Sequence, residues 1–445
     1  AVIGQPLAQI QIAEVDAVGD LTDGLGRGED WIELVNVGED TQALGSLRLS
    51  DDPQDWSQWS LPNVNLAPQE RLVVWCSGRD VRAVDHWECP ADDEDLWRYW
   101  VPNLALDSDW RTLNFDDSAW QTGPGSIGYG DGDDATVING GVVFMRRSCN
   151  VVNLEELVHG HLAMDYDDGY VAFLNGRELS RSSTMNDVSV AHNASSNGLH
   201  EAVLYSGGIP ESIPFDPREW LVEGTNVLAV QVHNENANSS DLTARPFLAL
   251  ARSAPTPVPF GILPDWWEPA APEYHTNFKL KPGEPVILSN ASGSLLDLAS
   301  LPTELRAGVT MGRAEGASDW CFFTSPSPGS ANLSSCLSHV APTPVVEPAS
   351  GWYAASTVTA SPGQPSGPPG QTLPPVTLRF TVDGSEPTPS SSVFTGFWNP
   401  AETSVLGIKA CGEGMVPSET VDRIYFLDEP STGLEKVSIY THPDH

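Results

Sequence analysis

Short runs of alternating or continuous apolar residues, separated by turn-forming residues, dominate the chain. Ala8-Gln-Ile-Gln-Ile-Ala-Glu14 alternates as a first strand. In Glu29-Asp-Trp-Ile-Glu-Leu-Val-Asn36, a period of two puts Trp31 and Val35 on one face and Ile32 and Leu34 on the other, so the stretch reads as a largely buried strand. Trp31 is open to two readings, core packing or a sugar-stacking platform; the flanking pattern explains it as core without a ligand. Arg71-Leu-Val-Val-Trp-Cys76 is a third run, and Asn226-Val-Leu-Ala-Val-Gln-Val232 reads as a buried strand. Tyr170-Val-Ala-Phe-Leu174 runs into Asn175-Gly176, a hairpin signal repeated by Asp383-Gly384. These elements predict an all-β fold.

Composition narrows the picture. A chain of 445 residues exceeds one β-sandwich, and 39 glycines with 37 prolines between short apolar runs favour several β domains over helices. No stretch approaches the roughly 18 apolar residues of a membrane helix, so no membrane insertion is expected. The net charge of −38 repels nucleic acid and anionic membranes, and suits solubility in salt or the collection of divalent cations. Six cysteines are too few for a disulfide scaffold. Cys321 with Cys336, and Cys76 with Cys89, lie close enough in sequence to close loops. One or two bridges would place the protein outside the cytoplasm. The first residue, Ala1 rather than methionine, fits removal of a signal peptide or simple trimming.

With the motifs in view, resemblances to known families emerge. EDWIELVN, then Leu49-Ser-Asp-Asp-Pro53, Trp56 with Trp59, and the Val-Val-Trp strand resemble the lamin-tail domain of bacterial secreted proteins, an immunoglobulin-like sandwich. The matching second half begins near His275-Thr-Asn-Phe-Lys-Leu280 and ends Phe323-Thr-Ser-Pro-Ser-Pro-Gly-Ser-Ala-Asn332. Between them, Asp109-Trp-Arg to Trp120, Gly125 to Asp134, Met164 to Glu178 and Gly224 to Asn234 resemble a galactose-binding-like jelly roll. Ser350-Gly-Trp-Tyr353, Thr381 to Thr388 and Ile408 to Cys411 resemble the small domain at the C-terminal end of chitobiases. The expected layout is a lamin-tail-like first half at 7–90, an inserted jelly roll at 93–253, the second half at 271–334, and, after a Pro/Thr linker at Ala341, a chitobiase-like β domain at 345–428. Residues 429–445 resemble the strand that opens a CotH-type kinase domain.

Several clusters carry candidate chemistry. Asp131, Asp133 and Asp134, backed by Asp165, Asp167 and Asp168, offer the several oxygens a structural Ca²⁺ requires, and jelly rolls of this resemblance often hold one. The alternative is a polar turn. His233 to Asp241, with Asn234, Asn236 and Asp241, offers oxygens or sugar contacts at one end of the sandwich. Trp266 and Trp267, flanked by prolines, either pack the insert or bind a ligand. Trp97, Trp100, Trp110 and Trp120 are further aromatic candidates, read mostly as core. In Arg146-Arg147, one arginine is expected to pair with an acid and the other to be solvated. No HExxH, GxSxG or phosphate loop occurs, and no catalytic residue is assigned. The expected function is a non-catalytic secreted or cell-surface β-sandwich protein for adhesion, matrix contact or surface assembly, meeting surface polysaccharide or other surface proteins. The alternatives are a carbohydrate-binding accessory module and the front of a CotH-like kinase.

Overall fold

The computed structural model describes residues 9–105, 108–132, 134–186, 188, 190–270, 273–363 and 374–428. The fold is all-β: among the described residues, helix is confined to the four residues Pro217–Trp220 and a few 3-10 turns. No helix among the described residues is long and apolar enough to cross a membrane. The expected kinase-like start at 429–445 lies outside the described residues.

The chain divides into two compact units. One takes the chain up to Asp23, Arg27–Asp80 and everything from Tyr274 onward; the other takes Gly24–Gly26 and Val81–Glu273. In the first unit a six-stranded sheet runs Tyr274–His275, Arg71–Trp75, Trp31–Asn36, Ile10–Asp16, Thr310–Arg313, Trp320–Phe323, mixing strands from both ends of the sequence. Ile12, Ile32, Leu34 and Val74 from this sheet meet Leu49, Val286 and Leu288 from a four-stranded sheet in one core. Trp31 is fully buried on the opposite face of its strand, as core rather than platform.

That opposite face holds two buried acids. Glu14 and Glu33 are cross-strand partners in adjacent strands, and both are wholly inaccessible. Glu33 pairs with Arg71 and accepts the Gly329 N–H at 2.6 Å; Glu14 accepts from Thr310 Oγ1 and, at 3.0 Å, from Ser327 Oγ. Asn332 adds a donor to the Arg313 carbonyl at 3.0 Å. The carboxylates thus fasten the Ser-Pro-Gly-Ser-Ala-Asn segment over the sheet, which is why a strand with Glu at its centre can be buried on both faces. Burial pushes the Glu33 carboxyl up to about 7, against the pull of Arg71, and raises that of Glu14. Half-buried Asp30 also rises to about 7, through desolvation and then the charge of Asp16.

The C-terminal β region is continuous with this unit rather than tethered by a linker. His339–Val340 pairs in parallel with Met415–Val416, Ala341 N–H donates to the Val416 carbonyl, and Val340 and Val416 join the main core. The expected start at 345 is therefore corrected to about 339: the apolar residues beside Ala341 are buried instead of spacing two domains.

The second unit is a sandwich of two sheets. One runs Gln121–Pro124, Leu96–Trp100, Val142–Val151, Gly224–His233, Gly169–Leu174, Arg177–Arg181; the other runs Thr136–Val137, Ile127–Tyr129, Leu242–Arg252, Leu157–Tyr166, Glu211–Phe215. Trp97, Met145, Tyr170 and Val230 from the first face Leu162, Met164, Leu248 and Leu250 from the second. Asn175 and Gly176 both have positive φ, 52° and 85°, as the tight turn into Arg177–Arg181 requires. His86–Ala91 pairs with Leu242–Arg252, anchored by a buried ion pair of Arg252 with Glu88 at 2.9 Å. This strand belongs to the second unit, so the boundary expected between 90 and 93 moves back to about residue 80.

Candidate functional site

The cysteines separate cleanly. Cys321 and Cys336 form a disulfide. The expected Cys76–Cys89 bridge is absent: both are buried free thiols, Cys76 in the core of the first unit and Cys89 on a strand of the second, where its Sγ donates to the Ala91 carbonyl at 3.1 Å.

Trp266 and Trp267 stack on each other at 5.4 Å and pack edge-on to Phe247, with Ala163 and Ala249 beside them. Trp267 is buried. These partners all belong to the second unit, and stacking on each other against Phe247 fits the packing reading of this pair rather than the ligand one. Trp110 and Trp120 join Phe144 and Phe173 in a second aromatic cluster with half-buried Trp100, while Trp97 lies in the sandwich core. Neither arginine of Arg146-Arg147 is left to solvent alone, since Arg146 pairs with Asp117 and Arg147 with Asp95.

The acidic residues of the second unit do different jobs. Asp165 accepts the N–H groups of Val203 and Leu204, and Asp168 accepts those of His200 and Glu235, so both hold loops. Asp131 accepts from Thr243 Oγ1 at 3.0 Å; Asp133 lies outside the described residues. The carboxylates that converge are Asp167, Glu201 and Asp241, each offering an oxygen within 4.8 Å of the others. Burial, then the charges of Asp168 and Asp241, push the Asp167 carboxyl up to about 8. These three oxygens could hold a hard cation; Asp131 and Asp134 are not in that group.

Beside them the strand Gly224–His233 ends in a polar junction. His233 is inaccessible and burial lowers it to about 4, so it is neutral. Gln231 Nε2 donates to its Nε2 at 2.9 Å, which leaves Nδ1 as the donor to the Ala194 carbonyl at 2.9 Å. Asn234 N–H donates to the Gly141 carbonyl, its own carbonyl accepts Ser196 N–H, and its Nδ2 donates to Tyr129 Oη and the Asp241 carbonyl. Residues 233 and 234 thereby fix three loops around one point.

Those loops, with 101–103, enclose a cleft of about 390 Å³. Asn103, Gly141, His192, Asn193, Ser195, Asn234 and Asn236 supply its polar and open wall. Among the described residues, the exposed side chains of Asn103, Asn193 and Ser195 make no hydrogen bond, and Asn234 Oδ1, on a residue only 2% exposed, has no donor. A buried amide oxygen without a donor is costly unless something else supplies one. Gly140, with φ 157°, could carry no Cβ without meeting Val101 Cγ1 at 2.6 Å, whereas a Cβ on Gly141 would stand at ordinary van der Waals distance, 3.7 Å, from Asn234. Sequence reading named Asn234 and Asn236; it missed Asn103, Gly141 and the 192–195 loop. The Gly140-Gly141 pair before a strand was the one local signal.

No family model and no curated protein matches the chain. Among solved structures it is similar to a β-glucuronidase of an uncultured Clostridium sp., at 10% identity and a TM-score of 0.25, covering 78% of this chain and 46% of that one. A glycosyl hydrolase family 2 member from Bacteroides cellulosilyticus is similar at 8% identity and 0.25, covering 75% and 36%. A Ruminococcus gnavus β-glucuronidase is similar at 8% and 0.23, covering 78% and 44%. The chain thus spans about a third to a half of these structures, and likeness at this level gives it no activity. It does correct the leading expectation: the similar structures are described as carbohydrate-active proteins, not as adhesion, matrix or assembly proteins, and that role is withdrawn.

Proposed function

We propose that the chain is a carbohydrate-recognition module whose site is the cleft at the Asn234 end of the second unit. The observation that carries this reading is the set of amides and a hydroxyl, from Asn103, Asn193, Ser195 and Asn234, that have hydrogen-bonding capacity left over and line one cavity. Sugar hydroxyls both donate and accept, which neutral amides match. The volume falls at the low end of ligand cavities, roughly 300–1,000 Å³, and suits one or two sugar units. The resemblance of this region to galactose-binding-like jelly rolls agrees with the reading. An extracellular setting is part of the proposal, supported by the Cys321–Cys336 disulfide.

The test is a glycan array probed with the intact chain and with Asn236→Ala, an exposed cleft residue. Binding that weakens about tenfold in the variant, with the melting temperature unchanged, is expected. An array blank for the intact chain overturns the proposal.

A bound calcium is a second element. Its support is the convergence of Asp167, Glu201 and Asp241, whose mutual repulsion a hard cation would relieve.

A further inference from the structure

We infer that the cleft selects neutral sugars and turns away uronic acids and sulfated glycans, an inference that rests on the carbohydrate reading above. Anionic sugars are ordinarily gripped by a guanidinium or ammonium group that pairs with their carboxylate or sulfate. Among the described residues, no lysine or arginine lines this cleft. Its polar side chains are amides, a hydroxyl and the His192 imidazole, which exchange hydrogen bonds with hydroxyl groups but supply neither a guanidinium nor an ammonium.

Carboxylates stand beside it. Glu235 sits between the two cleft asparagines, its carboxylate takes a hydrogen bond from Asn236 Nδ2, and its own N–H is held by Asp168. Asp241, whose carbonyl accepts Asn234 Nδ2, belongs with Asp167 and Glu201 to the carboxylate group behind the junction. A uronate entering the cleft would bring a further negative charge beside Glu235, whose chain neighbours Asn234 and Asn236 line it, at a surface already part of a chain of net charge −38. The lining also lacks tryptophan, tyrosine and phenylalanine. Recognition therefore falls to the hydroxyl pattern rather than to stacking on a flat sugar face, which favours a single sugar unit over the surface of a crystalline polysaccharide.

The experiment is calorimetric titration of the intact chain with the methyl glycosides of glucose, galactose and N-acetylglucosamine and with the methyl glycosides of glucuronate and galacturonate. A neutral glycoside should bind, its uronate counterpart about tenfold more weakly at low salt, with the gap closing in about 0.5 M NaCl as the repulsion is screened. A uronate that binds as tightly as its neutral counterpart overturns the selectivity and leaves the carbohydrate reading standing. No heat with any of the five overturns both. Gly141→Phe, placed where a side chain has room, should abolish the neutral signal without moving the thermal transition; binding that survives it overturns the assignment to this cleft.

Discussion

The two units bury polar groups for opposite ends. In the first, Glu14 and Glu33 lie at the middle of paired strands, and each carboxylate oxygen that is named above is answered by a side chain or an N–H of the same unit. The second also buries an ion pair, Arg252 with Glu88, but where its strand Gly224–His233 stops the polar groups are neutral: His233, Asn234 and the loop asparagines. Their hydrogen bonding is incomplete, with Asn234 Oδ1 lacking a donor among the described residues. A buried charge whose valences are filled is a fastening. Neutral groups with valences left over, facing a cavity, are a place for something else. Under the proposed reading, buried polar groups serve structure in one unit and recognition in the other.

The largest expected effect comes from cutting each fastening in turn. Glu33→Ala strands Arg71 and frees the Gly329 loop, and should cost the first unit about 3–5 kcal/mol. Arg252→Ala, which leaves Glu88 buried and unpaired, should cost the second unit a similar amount. In scanning calorimetry the two variants should lower different transitions. If both lower the same one, the units are not separately stabilised.

Acidification should then pull the two apart. Glu33 and Asp30 are raised to about 7 in the folded first unit, well above ordinary carboxyls, so the folded state binds protons more tightly than the unfolded chain. Their contribution is fully present below the unfolded values near 4, and is lost as pH rises through 7. Lowering the pH from 7.5 to about 4.5 should therefore stabilise the first unit, by roughly 1–3 kcal/mol. In the second unit Asp167, at about 8, acts in the same sense, but burial holds His161 and His233 at about 4, and their contribution is present above about 6.5 and lost as pH falls through 4. Its transition should rise less than that of the first unit, or fall. Parallel movement of both transitions would remove this distinction.

The smallest effect concerns the carboxylates beside the cleft. If calcium sits at Asp167, Glu201 and Asp241, a chelator should lower the second unit's melting temperature by a few degrees and leave the first unchanged. A melt indifferent to chelator and to added calcium removes the cation from the proposal.

What the sequence disclosed follows from what a local pattern can encode. The period of two assigned Ile32 and Leu34 to one face and Trp31 to the other, and with the many short apolar runs it gave the all-β class. It could not say what answers Glu14 and Glu33, because their partners Ser327 and Gly329 lie some three hundred positions along the chain. The spacing of Cys321 and Cys336 was informative, whereas the similar spacing of Cys76 and Cys89 misled, since a boundary between units falls between them at about residue 80. At the cleft, the polar run after His233 was visible as a candidate. The remaining wall is built from loops at 101–103, 140–141 and 192–195, none of which carries a motif, and they become one site only because His233 and Asn234 tie them together.

One feature of the first unit reaches beyond the folded state. The strands Arg71–Trp75 and Tyr274–His275 lie side by side and parallel, and Thr276 N–H returns to the Trp75 carbonyl at 2.8 Å. The chain leaves this sheet and rejoins it at nearly the same point, so nearly two hundred residues are accommodated without disturbing its register. On a ribosome or during export, however, those residues are made in between. The second unit has its whole sequence in hand while the first still lacks Thr310–Arg313, one of the two strands that flank Ile10–Asp16, and the segment that answers Glu14 and Glu33. For that interval a half-built sheet, with two acids unanswered, must wait for the chain to come back.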